Sequence, residues 1–133
     1  MTDVEEIQAL LYTYCQGYDA GDVAVVGSLW AEDAVMVTAR GEQPVEALRQ
    51  FSQTAAGWKG KGRHLIHNPL VRVDGDRATF SATWVVVGLP EAGPALAGVG
   101  TYRGEARRTQ AGWKISRWSP EATVMKRELL GKS

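Results

Sequence analysis

The chain has 133 residues, and its fifteen basic and fifteen acidic side chains cancel, with a pI near 6.7. That length supports one domain around one substantial core, and the balanced charge excludes the electrostatic footprint of a nucleic-acid or anionic-membrane binder. The single cysteine, Cys15, excludes an internal disulfide, no apolar run reaches the roughly 18 residues of a membrane span, and MTDVEEIQ lacks the features of a signal peptide. The expected setting is therefore cytoplasmic and the expected ligand a small neutral molecule.

Val4, Ile7, Leu11, Tyr14 and Tyr18 recur at three- and four-residue steps, which predicts a helix from about Asp3 to Ala20 with both tyrosines on its inward face. Asp3 and Glu6 stand at a capping-box spacing. The helix runs into YCQGYDAGDVAVVGSLWAEDA, the stretch around which the rest is organised. Asp19 lies in the last turn, where a carboxylate opposes the helix dipole and gains nothing unless another group pairs with it. Gly21 can take the left-handed conformation that stops a helix, and Asp22 can cap the next one. That second helix is expected to bury Val26, Leu29 and Trp30 and to end at Glu32-Asp33, before a strand from Ala34 to Thr38. Pro44 suits the first turn of a third helix carrying Val45, Leu48 and Phe51.

From Gly57 to Arg63, glycines alternate with Trp58, Lys59 and Lys61, and without a GKS or GKT this reads as a flexible basic connector, not a phosphate loop. Strands follow over Arg63 to Val73 and Arg77 to Val87, joined by a hairpin turn at Asp74-Gly75-Asp76. Ala78, Phe80, Ala82, Trp84 and Val86 alternate with Thr79, Ser81 and Thr83, so one sheet face is apolar. Leu89 to Gly100 reads as a loop long enough to close over a site, and Thr101 to Thr109 with Gly112 to Ser119 as a further hairpin through Gln110-Ala111. The tail from Pro120 to Ser133 fits a last strand, a lid or a short helix. Helices first and antiparallel hairpins afterwards make an α+β order, one domain over 1–133, in which a curved sheet wraps the helices and leaves an apolar pocket.

Few residues can move protons there. His64 and His67 are the only histidines, and an H-x-x-H pair without a third clustered ligand predicts no metal and no cofactor. No G-x-S-x-G elbow is present and Cys15 falls inside a helix pattern, so nucleophilic catalysis has no carrier. Elimination needs a base, a carboxylate to hold its tautomer and a donor to a developing oxyanion. His64 or His67, Asp19, and Tyr14 or Tyr18 supply those types. Trp30, Trp84, Tyr102 and Trp118, with His67, are candidates for the walls of the substrate pocket. Strict alternation from Val71 and Val73 points His67 inward and His64 outward, whereas a bulge at Asn68-Pro69 shifts the parity and turns His64 inward.

An initial helix ending in aromatic-x-x-x-aromatic-Asp-x-x-Asp is followed by aromatic-Ala-acidic-Asp-Ala, then by Arg-His-x-x-x-Asn with Val-Asp-Gly-Asp-x-Ala. Tyr-Arg-Gly-Glu and Gly-Trp-Lys-Ile come later. In this order the motifs resemble the SnoaL-like group of the nuclear transport factor 2 (NTF2-like) superfamily, over nearly the whole chain. The resemblance implies a cone in which a strongly curved antiparallel or mixed sheet wraps the N-terminal helices. Within the group the chain is similar to scytalone dehydratase and the bile acid 7α-dehydratases, which pair a helix-end aspartate with a strand histidine. Asp19 and His64 fall on those positions. Tyr14 matches the tyrosine of the bile-acid type and Tyr18 that of the scytalone type.

The chain also departs from those patterns. The second histidine of the scytalone type would fall near Ala82, the further carboxylate of the bile-acid type near Val87, and the basic aspartate of the steroid isomerases at Thr38. The implied function is a cofactor-independent dehydratase or cyclase, a lyase or isomerase of secondary metabolism, acting on a small hydrophobic hydroxylated carbonyl compound of polyketide or terpenoid type. A homodimer is expected through the sheet face of Thr79, Ser81 and Thr83, with Arg103, Glu105 and Arg107 beside them. The alternative is a non-catalytic small-molecule-binding or dimerising module on the same fold.

Overall fold

The structure is a computed structural model describing residues 1–132. Helix α1 spans Asp3–Asp19, and its N-terminal capping box is built by Thr2 and Glu5, not by Asp3 and Glu6. Asp3 and Glu6 instead reach across the chain. Asp3 accepts from Arg108 and from the Trp113 indole at 3.1 Å, and Glu6 accepts from the Trp113 backbone N–H at 3.1 Å. These carboxylates pin the start of α1 to the far end of the sheet, a use that local spacing cannot reveal.

The second helix, α2 (Val23–Gly27), is capped by Asp22 as expected but is shorter than the sequence suggested. Trp30 opens strand β1 (Trp30–Thr38), and Glu32 and Asp33 are exposed inside that strand, where its register against the sheet shifts. The long-range pairing of Trp30 with Ile115 overrides the helical periodicity of Val26, Leu29 and Trp30. A short strand β2 (Gly41–Gln43) folds back on β1, and Pro44 is the N-cap of α3 (Val45–Gln53). A 3₁₀ turn (Thr54–Gly57) follows, and Trp58 beyond it is buried, so the segment read as a flexible connector is partly anchored in the core.

Four long strands complete the domain: β3 (Gly62–Asp74), β4 (Arg77–Gly88), β5 (Ala95–Thr109) and β6 (Gly112–Met125). The last two are longer than expected. β5 takes half of the segment read as a loop, and β6 takes the first part of the tail, leaving only a 3₁₀ turn (Arg127–Leu129) near the C-terminus. Gly- and Ala-rich sequence suits this region because β5 is crowded. A Cβ on Gly100 would sit 2.3 Å from the Trp84 ring.

The sheet order is β2-β1-β6-β5-β4-β3, antiparallel except for the parallel β1–β6 pair, so the sheet is mixed. Register shifts occur at His67/Leu70, Val86/Val87, Val99/Gly100 and Glu105/Ala106. Bulges of this kind bend strands and raise twist, and together they curl the sheet. Its inner face packs Phe80, Ala82, Trp84, Tyr102, Ile115 and Trp118 against Ile7, Leu11, Tyr14 and Leu48 of the helices. This is the α+β cone expected from the motif order.

Candidate active site

Asp19 closes the last turn of α1, the unfavourable end of the helix dipole for a carboxylate. Three donors offset that position. The Trp58 indole donates to Asp19 Oδ1 at 3.0 Å, the His64 backbone N–H donates to Oδ2 at 2.9 Å, and His64 Nδ1 lies 2.7 Å from Oδ1. Both side chains of this pair are only 10 % exposed. An ionised carboxylate can only accept, so this contact places the ring proton on Nδ1 and leaves the Nε2 lone pair as the free base.

The parity question is settled at Asn68. It adopts φ 54, in the left-handed region, and the β3–β4 register breaks between His67 and Leu70. Asparagine tolerates that conformation better than most residues, and the proline after it has no N–H to leave unpaired. Across the break Val71 packs toward the core, so upstream of it His64 and Ile66 face inward while Leu65 and His67 face solvent. His67 is therefore excluded from the pocket wall, contrary to its inclusion among the candidate wall residues.

His64 lines a cavity of about 280 Å³ together with Tyr14, Tyr18, Phe51, Trp58, Trp84 and Tyr102. The lining also includes buried Val86, half-buried Met125 and, on its exposed side, Glu121 and Arg127. The volume is at the low end for ligand sites, roughly 300–1,000 Å³, and suits a compound of one or two rings. The His64 ring lies 5.1 Å from the Tyr18 ring and 4.9 Å from the Trp58 ring, centroid to centroid. The aromatic shell holds the imidazole in place and lowers the local dielectric, which strengthens its contact with Asp19.

Hydrogen bonding separates the two tyrosines. Thr54 Oγ1 donates to the Phe51 carbonyl, so its contact with Tyr18 must use the Tyr18 proton. Tyr18 is thereby committed as a donor. Tyr14 packs edge-on against Tyr102 with centroids 5.5 Å apart, and both rings are nearly buried where they meet the cavity. Burial pushes both hydroxyls well above the usual tyrosine range; at Tyr14 the nearby Tyr18 adds to the rise and Tyr102 offsets part of it, while at Tyr102 the neighbouring Tyr14 adds to it, so both remain protonated donors. Burial also raises Tyr18, partly offset by its contact with Thr54 and by the nearby Arg127 charge.

Trp84 and Tyr102 line the cavity as expected, whereas Trp30 and Trp118 do not. Trp30 gives its indole N–H to Ser52 at 2.8 Å, and Trp118, fully buried, stacks behind Tyr14 at 4.9 Å. They support the wall without forming it. The sequence reading missed Phe51, Trp58 and Arg127 as site residues. A tryptophan set in a Gly/Lys-rich connector was the available signal for Trp58; Arg127 had none, because its place depends on how the tail crosses the mouth. Among the described residues, no group of three or more His, Cys, Asp or Glu side chains is clustered for a metal.

The SnoaL-like domain family matches residues 1–119. An NTF2-like protein with a cystatin-like fold from Novosphingobium aromaticivorans superposes with a TM-score of 0.79 at 28% identity, covering 91% of this chain and 82% of its own. An Asp-to-Asn variant of a Mycobacterium tuberculosis protein of unknown function superposes with a TM-score of 0.77 at 27% identity, covering 90% of this chain and 75% of its own. A provisionally assigned scytalone dehydratase from Novosphingobium aromaticivorans reaches a TM-score of 0.74 at 14% identity over 96% and 91% of the two chains, a likeness of fold alone. A search of curated proteins returns no match. Because that family's model covers residues 1–119 and the fold superposes on an NTF2-like protein over 91% of the chain, the chain belongs to the SnoaL-like family of the NTF2-like superfamily.

Proposed function

We propose that the protein is a cofactor-independent lyase or isomerase, a dehydratase or cyclase acting on a small hydroxylated carbonyl compound. The observation that carries this reading is the 2.7 Å contact between Asp19 and His64 Nδ1, which leaves Nε2 as the free base of a residue lining an aromatic cavity. Nε2 removes a proton from the carbon next to the carbonyl, and Tyr14 donates to the carbonyl oxygen as it gains charge. In a dehydration the imidazolium then returns the proton to the departing hydroxyl, so that C–H and C–O bonds break, a C=C bond forms and water leaves. In a cyclisation the carbanion attacks a second carbonyl instead. Asp19 holds the tautomer and stabilises the imidazolium throughout, while the proton transfer by His64 is worth about 10²- to 10⁴-fold.

A panel of one- and two-ring β-hydroxy ketones incubated in D₂O tests the first step directly. Deuterium entering beside the carbonyl, or alkene appearing, is expected with the native chain and not with His64→Ala. If both His64→Ala and Asp19→Asn match the native chain, the non-catalytic binding module replaces the enzyme.

We also propose a homodimer formed through the outer sheet face. Thr79 pairs with Glu105, Ser81 with Arg103 and Arg77 with Arg107 across β4–β5, which puts hydroxyls and both charges on one surface. Leu70, 54 % exposed, adds apolar area at the edge of a shallow cleft there. Sedimentation showing only a 14.4 kDa species at micromolar concentration rejects this assembly.

A further inference from the structure

The geometry points to a substrate that carries a carboxylate or similar monoanion, held at the cavity mouth by Arg127 while its carbonyl end lies against Tyr14. This inference rests on the proposed function and adds the substrate's charge to it. Apart from His64, Arg127 is the basic side chain among the residues lining the cavity, whose remaining surface is aromatic and aliphatic with the tyrosine hydroxyls and Glu121 as its polar groups. Among the described residues its guanidinium has no carboxylate within ion-pair distance, as is also true of Arg40, Arg63, Arg72, Arg77 and Arg103; what sets Arg127 apart is its place on the lining of the His64 cavity. Its charge nevertheless reaches into the site, acting on the Tyr18 phenol.

The segment bearing Arg127 is fixed at both ends. The Lys126 N–H donates to the Ala97 carbonyl at 2.7 Å, and the Gly131 N–H donates to the Lys61 carbonyl at 2.8 Å, so the strap runs from β5 to the start of β3 across the mouth. It lies so close to the sheet that a Cβ on Gly88 would sit 1.9 Å from the Leu129 carbonyl oxygen. A Cβ on Gly131 would lie 2.5 Å from the carbonyl oxygens of Gly60 and Leu89. The strap therefore fixes the backbone at Arg127, whose exposed side chain lines the same cavity as the buried Tyr14 and Tyr102. A ligand of one or two rings filling about 280 Å³ touches residues of both kinds. A planar guanidinium with free N–H groups matches a carboxylate in two parallel hydrogen bonds. Glu121, the other charged side chain lining the cavity, does not pair with Arg127, and its like charge opposes an anion, so removing it leaves the preference set by Arg127 in place.

The test uses two isosteric probes, 1-naphthoate and 1-naphthamide, titrated against the native chain. Quenching of the cavity tryptophans gives affinity, and the ¹⁵N-labelled His64 ring, with exposed His67 as reference, reports occupancy of the site. Naphthoate is expected to bind about tenfold tighter than naphthamide or more, the scale of one hydrogen bond to a charged group. The preference is expected to vanish in Arg127→Gln and to persist in Glu121→Gln, with near-ultraviolet circular dichroism confirming each variant folded. Equal binding of the two probes, or a preference that survives Arg127→Gln, overturns the inference and leaves the Asp19–His64 reading standing. If both probes bind without moving the His64 resonances, the cavity is not the ligand site and both readings fall.

Discussion

Replacing Asp19 by asparagine changes one atom and dismantles a specific arrangement. Oδ1 faces the Trp58 indole, the His64 ring and the His64 backbone N–H, while Oδ2 faces that same N–H. An amide can keep its oxygen at the Oδ1 position, but its NH₂ then confronts the His64 backbone N–H, donor against donor. The remaining bonds fall from charge-assisted, about 1.5–3 kcal/mol each, to neutral, about 0.5–1.5 kcal/mol. With one bond lost and two others weakened at a site 10 % exposed, and with relief of the dipole mismatch returning about 0.3–1 kcal/mol, the expected loss of stability is about 2.5–5.5 kcal/mol. Urea denaturation measures it. Histidine ¹⁵N chemical shifts measure the second consequence: native His64 holds its neutral proton on Nδ1, and Asp19→Asn shifts the ring toward a mixture of tautomers. A native ring protonated on Nε2, or an Asp19→Asn chain with unchanged stability and unchanged ring shifts, refutes the reasoning.

His64→Ala is expected to lower turnover by about two orders of magnitude or more, the double variant with Asp19→Asn resembling the worse single one because base and orienting carboxylate act as a unit. His67→Ala, on the outer face, is expected to stay within a factor of two or so of native turnover, and an equal loss at both histidines refutes the inward assignment of His64. Tyr14→Phe is expected to reduce turnover about tenfold or more while Tyr18→Phe chiefly costs about 0.5–1.5 kcal/mol of stability through its lost bond to Thr54; the reverse pattern in steady-state kinetics assigns the donor to Tyr18. The buried Tyr14 and Tyr102 hydroxyls titrate above the unfolded tyrosine range, so their contribution is intact below about pH 10 and stability falls as pH rises through the raised native values. Urea midpoints that hold level from pH 8 to well above pH 10 contradict that sign.

The sequence alone determined what is local or periodic. Ile7, Leu11, Tyr14 and Tyr18 defined the inward face of α1, the Asp74-Gly75-Asp76 turn and the alternation through Phe80 and Trp84 defined a hairpin with an apolar face, and the ordered motifs identified the family. Asp19 stood out because a carboxylate at that end of a helix is unfavourable by itself, and the structure supplies its partners.

What depended on distant chain was decided only by the tertiary structure. The β1 boundary follows from the Trp30–Ile115 pairing and not from the helical spacing of Val26 and Leu29. The orientation of His64 follows from one left-handed residue, Asn68, because side chains in a strand alternate with period two and a single bulge exchanges the two faces. The Tyr18 hydroxyl is occupied by Thr54, thirty-six residues away in the chain, and Arg127 lines the cavity only because the tail crosses from Ala97 to Lys61. Periodicity records which side of an element is buried; it carries no record of what lies opposite, and a catalytic site is made of what lies opposite.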